Sequence, residues 1–391
     1  MNISQFFTPV NFKTIDIAPS ERDKQMLINK VIFTDSEKEP NFNGISIAIM
    51  GVPESRNSKE KSASYLAPDE IRRQFYRLYY WEKEVNIIDL GNIIIGKTVE
   101  DTYTLVAEVV ALLIDAKIIP IILGGSNDIS YACYKAYEHL QQIVNIAYVS
   151  PCFNIGHEKE PLKSDAFLNK IILQQPNYLL NYANIGYQTY LNSPDSIKLM
   201  DKLFFEAHRV GVVRQNIEDI EPVVRSAEMF SMDIAAVRRS DAPGNARSSA
   251  NGFYGEEICK VAFFAGMNDN LTSFGLYEYD PTLDFNQQTA QLISHILWYF
   301  IEGFIHRQND LSFIDINLYR KHTVTVSEST KELVFYNSKL TDRWWVEIPV
   351  YNIQTQAEQK FCLPCSKTDF DQACKDQIPD RWWKGFQRFN R

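Results

Sequence analysis

The sequence lacks most of the features that would announce an activity. It has no G-x-x-x-x-G-K-[ST] loop and no G-x-S-x-G elbow, so ATP hydrolysis and serine-hydrolase chemistry have no support. It has no basic excess. The net charge is −9 at pH 7 and no basic stripe offsets it, which argues against a protein-wide surface for nucleic acid or anionic membrane. It has no long apolar run either: "AQLISHILWYFIEGFI" is interrupted by His295 and Glu302 and is too short and polar to span a bilayer. The N-terminus, "MNISQFFTPVNFKTIDIAPS", shows no charged start followed by an apolar segment, as a secretory signal would. Six cysteines spread over 391 residues do not form a disulfide framework. These absences together predict a cytoplasmic protein with no membrane insertion and no nucleic-acid partner.

What is present is an ordinary globular composition, 45% hydrophobic and 23% charged, in a chain long enough for one large domain or two smaller ones. Short β-branched runs alternate with amphipathic stretches, the pattern of a parallel sheet covered by helices. Strands are predicted at 44–52, 85–91, 118–125, 144–150, 183–188, 228–234 and 270–279. Several are apolar throughout, as strands buried on both faces should be. Helices are predicted at 67–81, where Pro68 and acidic residues open the first turn, at 98–116, and from about 286 to 306. After about residue 308 the texture changes to short strands in a meander, and "DRWW" occurs at 342–345 and again at 380–383. This tail is nearly neutral, with 12 Lys and Arg against 11 Asp and Glu over 309–391, so it reads as folded. The predicted organisation is an N-terminal segment (1–43), an αβα domain (44–308) and an aromatic, mostly β extension (309–391).

Within the αβα domain, six pieces fall in order at strand ends: "IAIMGVPES", "APDEIRR", "IIDLGNI", "SMDIAAVRRSDAPG" (231–244), "NGFYGEE" (251–257) and "YEYDPTLD" (277–284). Together with "GGSNDIS" (124–130) they resemble the ureohydrolase family of arginase, agmatinase and, most closely, formimidoylglutamase, over roughly residues 45–305. The resemblance implies a three-layer αβα arginase-like fold with a mainly parallel sheet. It also implies a site where two histidines and four aspartates hold two manganese ions that activate water. At those six positions this sequence carries Asn127, Ser150, Cys152, Asn154, Asp233 and Ala235, of which only Asp233 keeps its residue type. Hard cations need carboxylate oxygens, so this set predicts a degenerate site with no catalytic residue and no bound metal.

Other arrangements compete at the same place. A shifted Asp128 together with Cys152 and Asp233 could hold a single zinc ion, or the altered site could retain manganese. Against this, Asp128 sits where it would cap the helix "ISYACYKAYEHLQQ", and Cys152 reads as a small buried apolar residue. His157 matches no family ligand position and reads as a loop histidine. Cys152 as a nucleophile would need a base beside it, and no histidine is placed for that. Glu278 matches the family residue that binds the substrate's amidine or guanidinium group. Arg238, which replaces a family aspartate, is expected to fill the emptied cavity by pairing with Asp233 or Glu278. The leading expectation is a pseudoenzyme that binds a protein or small ligand, with Trp344, Trp345, Trp382 and Trp383 as interface candidates or as the extension's own core. A homo-oligomer is a further expectation. The alternative is an active hydrolase of non-peptide C–N bonds using an altered metal site.

Overall fold

The computed structural model describes residues 3–19, 23–35, 38–156, 161–310, 316–326, 331–352 and 357–390. Apolar runs with no polar alternation have to be covered on both sides, and that requirement sets the architecture. In chain order the strands of the main sheet are β1 (Phe7–Thr8), β2 (Ile32–Phe33), β3 (Ile47–Val52), β4 (Ile87–Ile93), β5 (Ile119–Gly124), β6 (Val144–Val149), β7 (Leu179–Tyr187), β8 (Glu206–Arg209), β9 (Met229–Asp233) and β10 (Ser273–Tyr277). Their order is β1-β4-β3-β5-β10-β9-β6-β7-β8, with β2 also on β4. Every pairing is parallel except that of β1 with β4. The central strands β3, β5, β9 and β10 are buried at every residue.

One apolar core lies under the helices Ala67–Phe75, Gly255–Met267 and Gln288–Ile305. The other lies under Val99–Asp115, Ile129–His139 and Phe167–Leu173, so the sheet is the middle of three layers. The residues before 44 supply β1 and β2 to this sheet. Among the described residues no helix is long and apolar enough to cross a membrane.

Several of the quoted motifs hold one another. Arg72 of "APDEIRR" donates from Nε to Asp89 of "IIDLGNI" at 2.7 Å, both side chains fully buried. Asp284 of "YEYDPTLD" accepts from the backbone amides of Thr289 and Ala290 at 3.1 Å, satisfying donors in the first turn of Gln288–Ile305.

The extension is a four-stranded antiparallel meander of β11 (Tyr319–Val326), β12 (Lys331–Ser338), β13 (Trp344–Asn352) and β14 (Ala357–Cys365). Two helices follow, Lys367–Ala373 and Asp380–Phe389, in an extension expected to be mostly β. The second carries the second "DRWW", so identical tetrapeptides occupy a turn entering a strand and a helix start. The extension has its own apolar core around Phe335, Val346, Ile348, Leu363 and Trp382.

Candidate functional site

Open α/β sheets place working residues beyond the carboxyl ends of adjacent strands, and β5, β10, β9 and β6 are consecutive in the sheet. Asn127, Glu278, Asp233 and Ser150 follow these strand ends in that order, and all four are buried. The loop after β5 is pressed against the loop after β3: a Cβ on Gly125 would lie 1.9 Å from the carbonyl oxygen of Glu54, so only glycine fits. Asn127 anchors the cluster. Its amide nitrogen Nδ2 donates to Asp233 Oδ2 at 2.8 Å, its backbone N–H donates to Glu278 Oε1 at 2.9 Å, and its Oδ1 accepts from the Tyr148 hydroxyl at 2.5 Å.

The charge at the centre comes from outside the quoted motifs. Arg247, on the loop joining "DAPG" to "NGFYGEE", donates from a terminal nitrogen to Asp233 Oδ2 at 2.8 Å and lies 3.5 Å from Glu278 Oε2. Asp233 Oδ1 accepts from the Ala235 backbone N–H at 2.9 Å. Burial raises the Glu278 carboxyl to about 7; Arg247 opposes the shift and the neighbouring Asp233 adds to it. Glu278 also has φ +69°, a left-handed conformation that costs a non-glycine residue roughly 1–3 kcal/mol.

The remaining candidate positions distribute as follows. Ser150 Oγ accepts from the Cys152 backbone N–H at 3.3 Å and from Asn154 Nδ2 at 3.4 Å. Asn154 is buried at φ +55°, and its Oδ1 has no hydrogen-bond partner. Cys152 is half-buried and its Sγ faces the Leu191 carbonyl oxygen at 3.6 Å. Burial pushes its thiol up to about 11, with Arg247 opposing, so it is protonated at neutral pH.

Two expectations are corrected. Arg238 does not enter the cluster: it pairs with Asp241 at 2.8 Å and lies over the Tyr254 ring at 3.9 Å, in a half-exposed position. The cation that reaches Asp233 and Glu278 is Arg247. Its segment, "GNARSSANG", has neither periodicity nor motif, and an isolated arginine between two glycines was the only trace it left in the sequence. Asp128 stands at the N-terminus of Ile129–His139, but its side chain makes no capping bond there. It accepts instead from the Tyr103 hydroxyl, away from Asp233. His157 lies outside the described residues.

Of the tryptophans, Trp345 is buried beneath the Arg225 guanidinium, 4.4 Å from the ring centroid. Trp382 is buried and donates from Nε1 to the Glu347 carbonyl at 3.0 Å. Neither can reach a partner. Trp344 is half-buried and stacks on Phe370 at 4.7 Å, while Trp383 is 43% exposed.

A mainly parallel sheet with residues gathered beyond β5, β6, β9 and β10 agrees with the family comparison. The arginase family model matches residues 45–302, and the chain belongs to that family. The formimidoylglutamase of Bacillus subtilis is 25% identical over 279 residues, which is 66% of this chain and 86% of that protein. That of Halalkalibacterium halodurans is 22% identical over 65% of this chain and 86% of its own. Among solved structures, the Bacillus subtilis formimidoylglutamase superposes with a TM-score of 0.62 at 22% identity, covering 67% of this chain and 88% of that one. Trypanosoma cruzi formiminoglutamase, crystallised with Mn2+, gives 0.64 at 15% identity, covering 72% and 99%.

Proposed function

We propose that this arginase-family chain is a non-catalytic member whose αβα domain carries a closed, internally neutralised site, and that it acts as a protein- or ligand-binding component. The observation that carries the reading is the buried contact of Arg247 with Asp233 and Glu278.

Its force comes from the donor chemistry. Two divalent ions bring four positive charges and require anionic oxygen donors with free lone pairs. Asp233 has one oxygen engaged by the Ala235 amide and the other by Asn127 and Arg247. Asn127 turns its Nδ2 donor toward Asp233 and gives its oxygen to Tyr148. Ser150 and Asn154 bond each other, and Ala235 has no donor atom on its side chain. These residues do not fit a two-manganese centre. Among the described residues no group of three His, Cys, Asp or Glu side chains is arranged to hold a metal ion. A thiol mechanism has little support while Cys152 stays protonated.

The second reading, an active hydrolase of non-peptide C–N bonds with an altered metal site, draws on family membership and on Glu278. That carboxylate already faces a guanidinium, the kind of group an amidine substrate would present. The extension's exposed Trp383 is the tryptophan we propose for a protein partner.

The test is metal content and turnover together. The protein is incubated with excess manganese, and separately with zinc, freed of unbound ion and analysed by mass spectrometry. It is then assayed against formimino, guanidino and simple amidine substrates. Well under one ion per chain and no release of ammonia, formamide or urea is the expected outcome. Two manganese ions per chain with turnover would overturn the proposal, and one zinc lost on Cys152→Ala would move the case to the second reading.

A further inference from the structure

The opposite end of the sheet holds a second site. Where the extension meets the amino ends of β6, β7 and β9, a cavity of about 340 Å³ is lined from both sides of the seam. The body contributes Asn145, Asn181 and Glu228, and the extension contributes Trp345, Phe361 and Arg388. Neither part of the chain forms this cavity alone. Its volume suits a molecule of amino-acid size.

The charges around it do not close. Glu206, buried just beyond Asn181, is shared by two guanidinium groups, Arg381 and Arg388, the latter at 3.4 Å. Arg388 holds Glu206 less closely than Arg381 does, and it is the one of the pair that lines the cavity. On the body side, Glu228 Oε2 accepts from the Asn145 backbone N–H at 2.6 Å and from Asn145 Nδ2 at 3.0 Å, yet among the described residues it has no cationic partner. Asn181 donates to Glu206 at 2.8 Å, while its own buried Oδ1 accepts nothing. Asn181 is 95% buried and contributes to the cavity wall, with its Oδ1 shielded behind it. Burial also raises Glu228 to about 7, as expected of a carboxylate waiting for a counter-charge.

We propose that this seam cavity binds a small zwitterion of the α-amino acid class. Its ammonium group is taken by Glu228, its carboxylate by Arg388, and its side chain rests against Phe361. A simple amine satisfies only the body side, and a simple carboxylate satisfies only the extension side. Because the ligand touches both, it fastens the extension to the body. The site is independent of the cluster around Asp233 and stands or falls separately from the catalytic status of the domain.

The experiment uses the full chain at pH 8, where Glu228 is mainly ionised. Each common L-amino acid is added singly at millimolar concentration and thermal unfolding is followed; hits are titrated calorimetrically. Ethylamine and acetate, alone and together, serve as fragments. At least one amino acid is expected to raise the unfolding temperature by several degrees, the fragments are not, and Glu228→Gln should weaken binding at least tenfold. Asn270→Trp, which places bulk at the cavity wall without touching the buried charges, should abolish the shift and guards against misfolding of charge variants. No shift with any amino acid, an equal shift from a fragment, or full binding retained in both variants would each overturn the proposal.

Discussion

At the scale of single residues, Arg247 decides the chemistry of the site. With its side chain removed, Asp233 and Glu278 remain buried with no cation in reach, a condition that typically costs about 3–5 kcal/mol. Arg247→Ala should therefore lower unfolding free energy in urea by that amount, and Arg247→Lys by less, since lysine restores charge but not the planar fork. Arg238→Ala should cost under about 1 kcal/mol, because its partner Asp241 and the Tyr254 ring lie in a half-exposed environment and Arg214 also stacks on that ring.

Glu228 makes a separate prediction at this scale. Its folded pKa, raised to about 7, lies above that of the unfolded chain, so the folded state binds the proton more tightly. The resulting stability is fully present below about pH 4.5 and is lost as pH rises through 7, by about 3 kcal/mol at most. Unfolding free energies measured between pH 5 and 8 should show that decline, and Glu228→Gln should make it shallower, leaving the part due to Glu278.

At the scale of elements, the two "DRWW" copies share a task despite their different backbones. Arg343 pairs with Glu221 at 3.2 Å and donates to the Met267 carbonyl at 3.2 Å. Arg381 pairs with Glu206 and donates to the Pro222 carbonyl at 2.9 Å. Both arginines thus reach from the extension to the body, and the tryptophans beside them fill the space between. Burial opposes ionisation of Glu206, but Arg381, His208 and Arg388 outweigh it and hold the carboxyl well below its usual range. A depressed folded pKa contributes stability above about pH 4.5 that is lost as pH falls. Arg381→Ala at neutral pH, or acid well below pH 4.5 on the natural chain, should speed amide exchange in 380–389 more than in the central strands β3 and β5. Equal acceleration throughout would count against a separable seam.

The strands were legible because burial on both faces leaves an apolar run with no alternation, as in "IIPIIL". The helix Asp380–Phe389 was missed although Trp382, Gly385, Phe386 and Phe389 have helical spacing, because the preceding strands suggested that the meander continued. Motif order along the chain was enough to place Asn127, Asp233 and Glu278 at neighbouring strand ends. The closing cation could not be placed that way, since the contact of Arg247 with Asp233 depends on where a loop without pattern is carried by the fold.

At the scale of the whole molecule, two layers of helices cover a sheet whose carboxyl ends hold the Asp233 cluster and whose amino ends meet the extension. Trp345 and Trp382 sit in the extension, Trp81 and Trp298 in the body, stacked at 5.4 Å. Because buried ion pairs and the Arg225–Trp345 contact join the parts, the full chain should unfold in one transition, with tryptophan fluorescence and far-ultraviolet dichroism changing together. Two separated transitions would show that the seam is weaker than its contacts imply.

The seam also gives the polypeptide a direction in time. On the ribosome the body emerges first, with Glu206 on an edge strand and Arg225 beside a vacant surface, while the residues that answer them are still untranslated. Until Trp345 is made, Arg225 has no aromatic ring above it, and until Asp380–Phe389 is made, Glu206 lacks both of its guanidinium partners. The sheet's amino end is therefore completed only after Arg381 and Arg388 have been added to the chain.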